Sequence, residues 1–293
     1  MDRIVDVTGG QGGKAFLIVG EKKTALIDCG MAYCASKLIE NIKQRLKKKT
    51  LDYILLSHSH YDHIGAIPYL KKEWPNSKVM GAEHAKQVLR KASALKTIRH
   101  LSKQAAKVYQ AGAIEEYDDE MMRVEEVVFN GTVLDLGGLQ IEVIETQGHT
   151  KCSLSFLIDK TTLFTSESTG CMSKSGKIHP SFITSVAQAI ASIHLCKKIN
   201  PRFIVSPHFG LVSSTNTSDY WEQSMSSVQE SKQFILDLAE QGYDEEQILM
   251  KYENLFRDDH NKAEQPIAAF RINTKHMIKT VLREESYVLP IAN

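Results

Sequence analysis

In "LLSHSHYDHIGAIPYL", residues 55–70, three histidines and an aspartate crowd between positions 58 and 63. A turn after a strand needs only Gly, Asn, Ser or Asp. His58, His60, Asp62 and His63 are instead ligand types, since imidazole and carboxylate together bind divalent transition metals. In an extended segment alternate side chains share a side, so His58 and His60 can grip one ion together. Asp62 and His63 are consecutive and would point apart in a strand, but a loop can turn both toward a second ion. Two neighbouring cations lower the pKa of a shared water and polarise an electrophilic oxygen, so hydrolysis by such a site needs no side-chain nucleophile.

Those side chains need a rigid base. "LDYILLS" (51–57) reads as a buried strand, and the cluster starts at its carboxyl end, where layered α/β folds build their sites. Upstream, "AFLIV" (15–19) and "TALIDCG" (24–30) form a hairpin around "GEKK". A helix is expected over 34–47, with Leu38, Ile39, Ile42 and Leu46 on one stripe. Downstream, "VVFNGTVLDLGGLQIEVIET" turns at Asn130-Gly131 and Gly137-Gly138, and "SLSFLIDKTTLFTS" turns at Asp159-Lys160. These hairpins end beside "TQGHT" around His149 and "SESTG" around Glu167. A helix over about 184–198 precedes "RFIVSPHFG" (202–210), a strand that stops at His208.

Residues 83–111 read as one long or two shorter helices, with Val88, Leu89, Ala92, Leu95, Ile98, Leu101, Val108 and Tyr109 as the apolar positions. Lys86, Arg90, Lys91, Lys96, Arg99, Lys103 and Lys107 crowd the remaining surface, and the acidic "EEYDDEMMRVEE" follows. Either the two faces neutralise each other or the basic one is a lid for an anionic substrate. The last third is helical. Ser218 and Gly242 punctuate one helix, Asp244 and Gln247 have capping-box spacing before Ile248, Leu249, Tyr252, Leu255 and Phe256, and a final helix is expected over 274–284.

The cluster resembles the H-x-H-x-D-H motif of the metallo-β-lactamase superfamily, and the resemblance runs through most of the first 210 residues. Asp28 in "LIDCG" looks like that family's first-motif aspartate, "TQGHT" like its third motif, and "SPHFG" occupies the place of its last histidine. "LFTSES" lies where the family usually has a bridging aspartate. The resemblance implies a four-layer αββα sandwich over residues 1–215; the helical patterns add an insertion at about 83–125 and, with no Gly/Ser-rich linker before it, a C-terminal helical region over 216–293 packed on it. It implies that His58, His60 and His149 hold one metal and Asp62, His63 and His208 the other, with Glu167 between them. Asp28 would orient a ligand rather than bind metal. His179 in "GKIHPSF" is a further catalytic or substrate-binding candidate. The implied cofactor is a pair of divalent ions, zinc first, with iron and manganese suited to the same donors.

The reaction class that follows is hydrolysis of an ester, thioester, lactone or phosphodiester by a metal-bridging hydroxide. The alternatives are an iron-dependent redox enzyme of the same fold and a regulatory protein that keeps a metal site. Composition narrows the partners. The 293 residues are 42% hydrophobic and 24% charged, with a formal net charge of +1, which suits a globular protein and argues against nucleic acid. The amino terminus lacks a charged-then-apolar leader, and no apolar run approaches the roughly 20 residues that span a bilayer. The five cysteines show no C-x-x-C spacing, as expected of reduced thiols in the cytoplasm. A small-molecule substrate, anionic if the basic segment is a lid, is therefore expected. The oligomeric state is left open, a homodimer included.

Overall fold

The computed structural model describes residues 3–47, 49–213, 219–258 and 265–288. The chain divides into two compact units, Met1–Glu145 with Leu154–Leu163, and Thr146–Ser153 with Phe164–Asn293.

In the first unit, β1 (Ile4–Asp6) and β2 (Phe16–Val19) are antiparallel, and β2 makes the expected hairpin with β3 (Thr24–Ile27). The sheet then turns parallel through β4 (Tyr53–Leu55), β5 (Lys78–Gly81) and β6 (Glu126–Val127). Parallel strands are covered on both faces; Leu26, Ile54, Leu55 and Val79 are fully buried. Helix α1 (Ala35–Leu46) buries Leu38, Ile42 and Leu46. The β4 strand leads into the short α2 (Tyr61–Ile64) and then α3 (Ile67–Glu73). The segment after β5 forms two helices, α4 (Glu83–Leu89) and α5 (Ala92–Val108), and α5 packs against α2.

The basic and acidic segments of this unit meet. Arg99 pairs with Glu116 at 2.8 Å and with Asp119 at 2.5 Å, and Lys103 reaches Glu116 at 3.1 Å. Val108, expected among the apolar contacts, is exposed instead, because α5 ends there.

Strands β7 (Val133–Asp135), β8 (Gln140–Glu145) and β9 (Leu154–Ile158) are antiparallel neighbours. The β9 strand leads to β10 (Thr162–Phe164) through Asp159 and Lys160, both left-handed at φ 45° and 54°, as a two-residue type I′ hairpin turn requires.

In the second unit, β11 (Cys171–Met172) and β12 (Ile178–His179) form a small hairpin. Helix α6 (Val186–Ile199) starts with Ser185 accepting from the Gln188 N–H, and β13 (Phe203–Ser206) pairs with β14 (Gly210–Leu211). Helix α7 (Tyr220–Glu240) has Asp219 as its N-cap residue; Ser218 lies outside the described residues. The helix stops as expected at Gly242, whose φ of +85° lets the Gly242 and Tyr243 N–H groups reach back to Ala239 and Leu238. Helix α8 (Glu245–Phe256) has the full Asp244–Gln247 capping box. Leu255, expected on its buried face, is exposed. Helix α9 runs over Ile267–Val288, longer than the 274–284 expected, because a helix starts readily after Pro266, whose missing N–H costs nothing at a first turn.

Candidate metal centre

Asp28 stands at the end of β3 with φ +54°, an uncommon backbone for a residue other than glycine. Its carboxylate is held by three contacts. Oδ1 accepts from the Ser57 N–H at 2.7 Å, and Oδ2 accepts from the Ser57 hydroxyl at 2.7 Å and lies 2.8 Å from His63 Nδ1. A carboxylate can only accept here, so His63 Nδ1 carries the proton and Nε2 is the nitrogen suited to a metal. Ser57 Oγ, its own proton given to Asp28, lies 3.0 Å from His58 Nδ1. The same logic leaves His58 Nε2 as the nitrogen suited to a metal. Asp28 thus contacts His63, one of the residues that the resemblance makes a ligand.

His60 is the N-cap residue of α2, with extended backbone dihedrals, and the His63 N–H closes the turn onto its carbonyl at 3.0 Å. His58 and His60 offer ligand atoms within 4.8 Å of each other, as do Asp62 and His63. Asp62 and His63 sit in a helical turn rather than a loop. There consecutive side chains diverge by about 100° instead of 180°, which lets both approach one ion. The glycine-rich segment before β2 lies directly on this turn, for a Cβ on Gly13 would fall 1.7 Å from the Asp62 carbonyl oxygen.

The second unit carries the remaining candidates. His149 is fully buried, and its N–H donates to Ser168 Oγ at 2.9 Å. Its Nδ1 lies 2.9 Å from the Ser181 carbonyl oxygen, so the proton sits on Nδ1 and Nε2 is again the nitrogen suited to a metal. Glu167, 7% exposed, opens a short 3-10 turn over Glu167–Thr169. The turn is fastened to the segment before His149: Ser166 and Ser168 both donate to the Thr146 carbonyl, at 3.1 and 2.7 Å.

Glu167 faces two histidines. Its Oε2 lies 3.3 Å from His149 Nε2 and its Oε1 lies 3.1 Å from His208 Nε2. His208, just past β13, has φ +62°, and such strained positions cluster at functional sites. His179 lies in β12 opposite Cys171. Two positions later, Ser181 makes the His149 contact, a role the sequence reading did not assign.

In each unit the donor types suit a divalent transition metal: in the first, His58 and His63 have Nδ1 tied to a neighbouring hydrogen-bonding group and Asp62 supplies carboxylate oxygen; in the second, His149 has Nδ1 tied in the same way and Glu167 supplies carboxylate oxygen.

The profile of the metallo-beta-lactamase superfamily matches residues 8–166, and the chain belongs to that superfamily. It is 29% identical over 218 residues to the metallo-beta-lactamase fold-containing protein ST1585 of Sulfurisphaera tokodaii, covering 72% of this chain and 78% of that one. The crystal structure of ST1585 from Sulfolobus tokodaii aligns with a TM-score of 0.58 at 26% identity, over 75% of this chain and 85% of the other. Glyoxylase B2 of Dictyostelium discoideum is 28% identical over 153 residues, 49% of this chain and 47% of that protein. TTHA1429 of Thermus thermophilus, a metallo-beta-lactamase family protein, shares the fold over 98% of this chain and 95% of its own, with a TM-score of 0.62 at 15% identity. The fold class is thus the αββα sandwich with C-terminal helices, and membership supports a metal-dependent hydrolase in general terms.

Proposed function

We propose that the chain is a dinuclear metallohydrolase acting on a small ester, thioester, lactone or phosphodiester. In this reading the family motifs make His58, His60 and His149 one donor group and Asp62, His63 and His208 the other, with Glu167 between them. The observation that carries it is the placing of Glu167, one carboxylate oxygen toward His149 and the other toward His208, histidines that belong to different groups. When bound, two divalent ions, zinc first, supply Lewis acidity and an acidified water.

The chain's own residues prepare that chemistry. Asp28 and the Ser57 hydroxyl fix the His63 and His58 rings. Burial of His58, His63, His149 and Glu167 keeps the local dielectric low, which strengthens each charge interaction. Asp62 and Glu167 provide negative charge that offsets the cations. No described helix is long and apolar enough to cross a membrane, and the cysteines are free thiols; a cytoplasmic placement belongs to the same proposal.

Elemental analysis of the purified protein tests it: about two transition-metal ions per chain are expected in a site of this composition, with turnover of at least one member of a thioester, lactone and phosphodiester panel. Replacing His60 with Ala should lower the metal content and abolish turnover. Full activity in that variant would sink the reading.

A further inference from the structure

The contacts of Ser181 go beyond holding one ring. Its hydroxyl oxygen lies 2.8 Å from His149 Nδ1, and the same hydroxyl donates to Glu167 Oε2 at 3.4 Å. Its carbonyl oxygen also accepts from His149 Nδ1, at 2.9 Å. Because a carbonyl cannot donate, the Nδ1 proton belongs to His149 and is shared between the two oxygens of Ser181. The hydroxyl proton is then free to point at Glu167. Only this arrangement satisfies all three contacts at once.

The segment that carries Ser181 is held from the far side by α9. Thr280 Oγ1 donates to the Ile183 carbonyl at 2.9 Å, and Arg283 donates to the Thr184 carbonyl at 2.8 Å. The Glu284 carboxylate accepts from the Val186 and Ala187 N–H groups at 3.2 and 3.3 Å. Phe182, next to Ser181, is fully buried. Ser181 is therefore presented from a fixed backbone.

We infer that Ser181 is a positioning residue that couples two ligands, setting the His149 tautomer through Nδ1 and the Glu167 carboxylate through its hydroxyl, so that His149 Nε2 and Glu167 Oε2 converge. The inference rests on the metallohydrolase reading above. It also assigns the C-terminal helix a task, that of bracing the segment from which both ligands are aimed.

Ser181→Ala separates the two contacts, since the carbonyl remains to hold Nδ1 while the link to Glu167 is lost. Outer partners of metal ligands typically contribute 10–100-fold in affinity. Zinc affinity, measured by competition with a chromophoric chelator, should fall by about tenfold in the Ala variant and recover in Ser181→Thr, which restores the hydroxyl. In the zinc-loaded protein, nitrogen-15 spectra of the imidazoles should show His149 protonated at Nδ1. Unchanged zinc affinity in Ser181→Ala overturns the inference while leaving the metallohydrolase reading intact; a wild-type protein that binds no transition metal overturns that reading itself. If Ser181→Ala does not fold, the wild-type spectrum decides, and a His149 protonated at Nε2 overturns the inference.

Discussion

At the scale of single residues, the length of Glu167 is the unusual choice. Aspartate, usual at this place in the resembled family, is shorter by one carbon–carbon bond, about 1.5 Å. From the present backbone it could not keep both the 3.3 Å approach to His149 and the 3.1 Å approach to His208. Glu167→Asp should therefore loosen one ion rather than improve the site. Glu167→Gln keeps the shape and removes the charge that, in the proposed dinuclear site, would offset two dications, so it should reduce affinity further. Zinc titration of both variants checks the order, and wild-type affinity in the Gln variant would remove Glu167 from the ligand set. A second residue-scale expectation concerns Cys34, whose thiol is pushed up to about 11, chiefly by burial. Only the thiolate reacts, so alkylation of Cys34 by iodoacetamide should be negligible at pH 8 and accelerate as the pH approaches that value. Mass spectrometry of the modified peptide reads it directly.

The elements show which of these choices could be read from sequence. His58, His60, Asp62 and His63 were legible because such residue types at such spacing have no cheaper structural use. Ser57 and Ser181 were not, since serine is common everywhere and the Ser181 contact joins residues 32 apart in the chain. The hairpin turn at Asp159-Lys160 was legible for a local reason, its left-handed backbone. The meeting of Arg99 with Glu116 and Asp119 is a tertiary event, which sequence spacing alone does not announce.

Two element-scale outcomes follow from close packing and from a brace. Gly148 has φ +135°, and a Cβ there would lie 2.6 Å from the Ala189 backbone. Gly148→Ala should lower stability by on the order of 3 kcal/mol and weaken zinc binding through the adjacent His149, as thermal unfolding and titration would show. Beside β5, burial acts to raise the Glu125 pKa, but the Val79 N–H and Lys71 outweigh it and hold the carboxyl below its usual value. The folded-state pKa lies below the unfolded one, so this stabilisation is present above the unfolded pKa and is lost as pH falls through the folded value. Glu125→Gln should cost about 1–2 kcal/mol near neutral pH and flatten the acid limb of the stability profile.

For the molecule as a whole, the C-terminal third was legible as helices but not as a support for the site. Helical stripes announce that a face must be buried; they do not name what it buries against. In α7 the buried positions include Tyr220, Trp221, Val228 and Ile235, with Ser224 and Ser231 fully buried among them. The Tyr220 hydroxyl donates to Ser206 Oγ at 3.1 Å, and that same oxygen accepts from the Met172 N–H. Ser206 ends β13, two residues before His208, so α7 helps fix the strand that delivers a proposed ligand. Further along, Tyr252 stacks on Phe256 at 4.3 Å, and α9 braces the segment of Ser181. A chain that ends at Ser213 loses all of these partners at once. It would expose apolar surface now covered by the three helices, and contiguous exposed apolar surface favours aggregation. The truncated chain should accumulate as aggregate on expression, and any soluble fraction should bind less zinc than the full chain, because the strand leading to His208 and the segment carrying Ser181 have lost their support. Size-exclusion chromatography with metal analysis of the monomer peak decides: a monomeric truncation with the full metal content would show that the C-terminal helices serve neither the core nor the site.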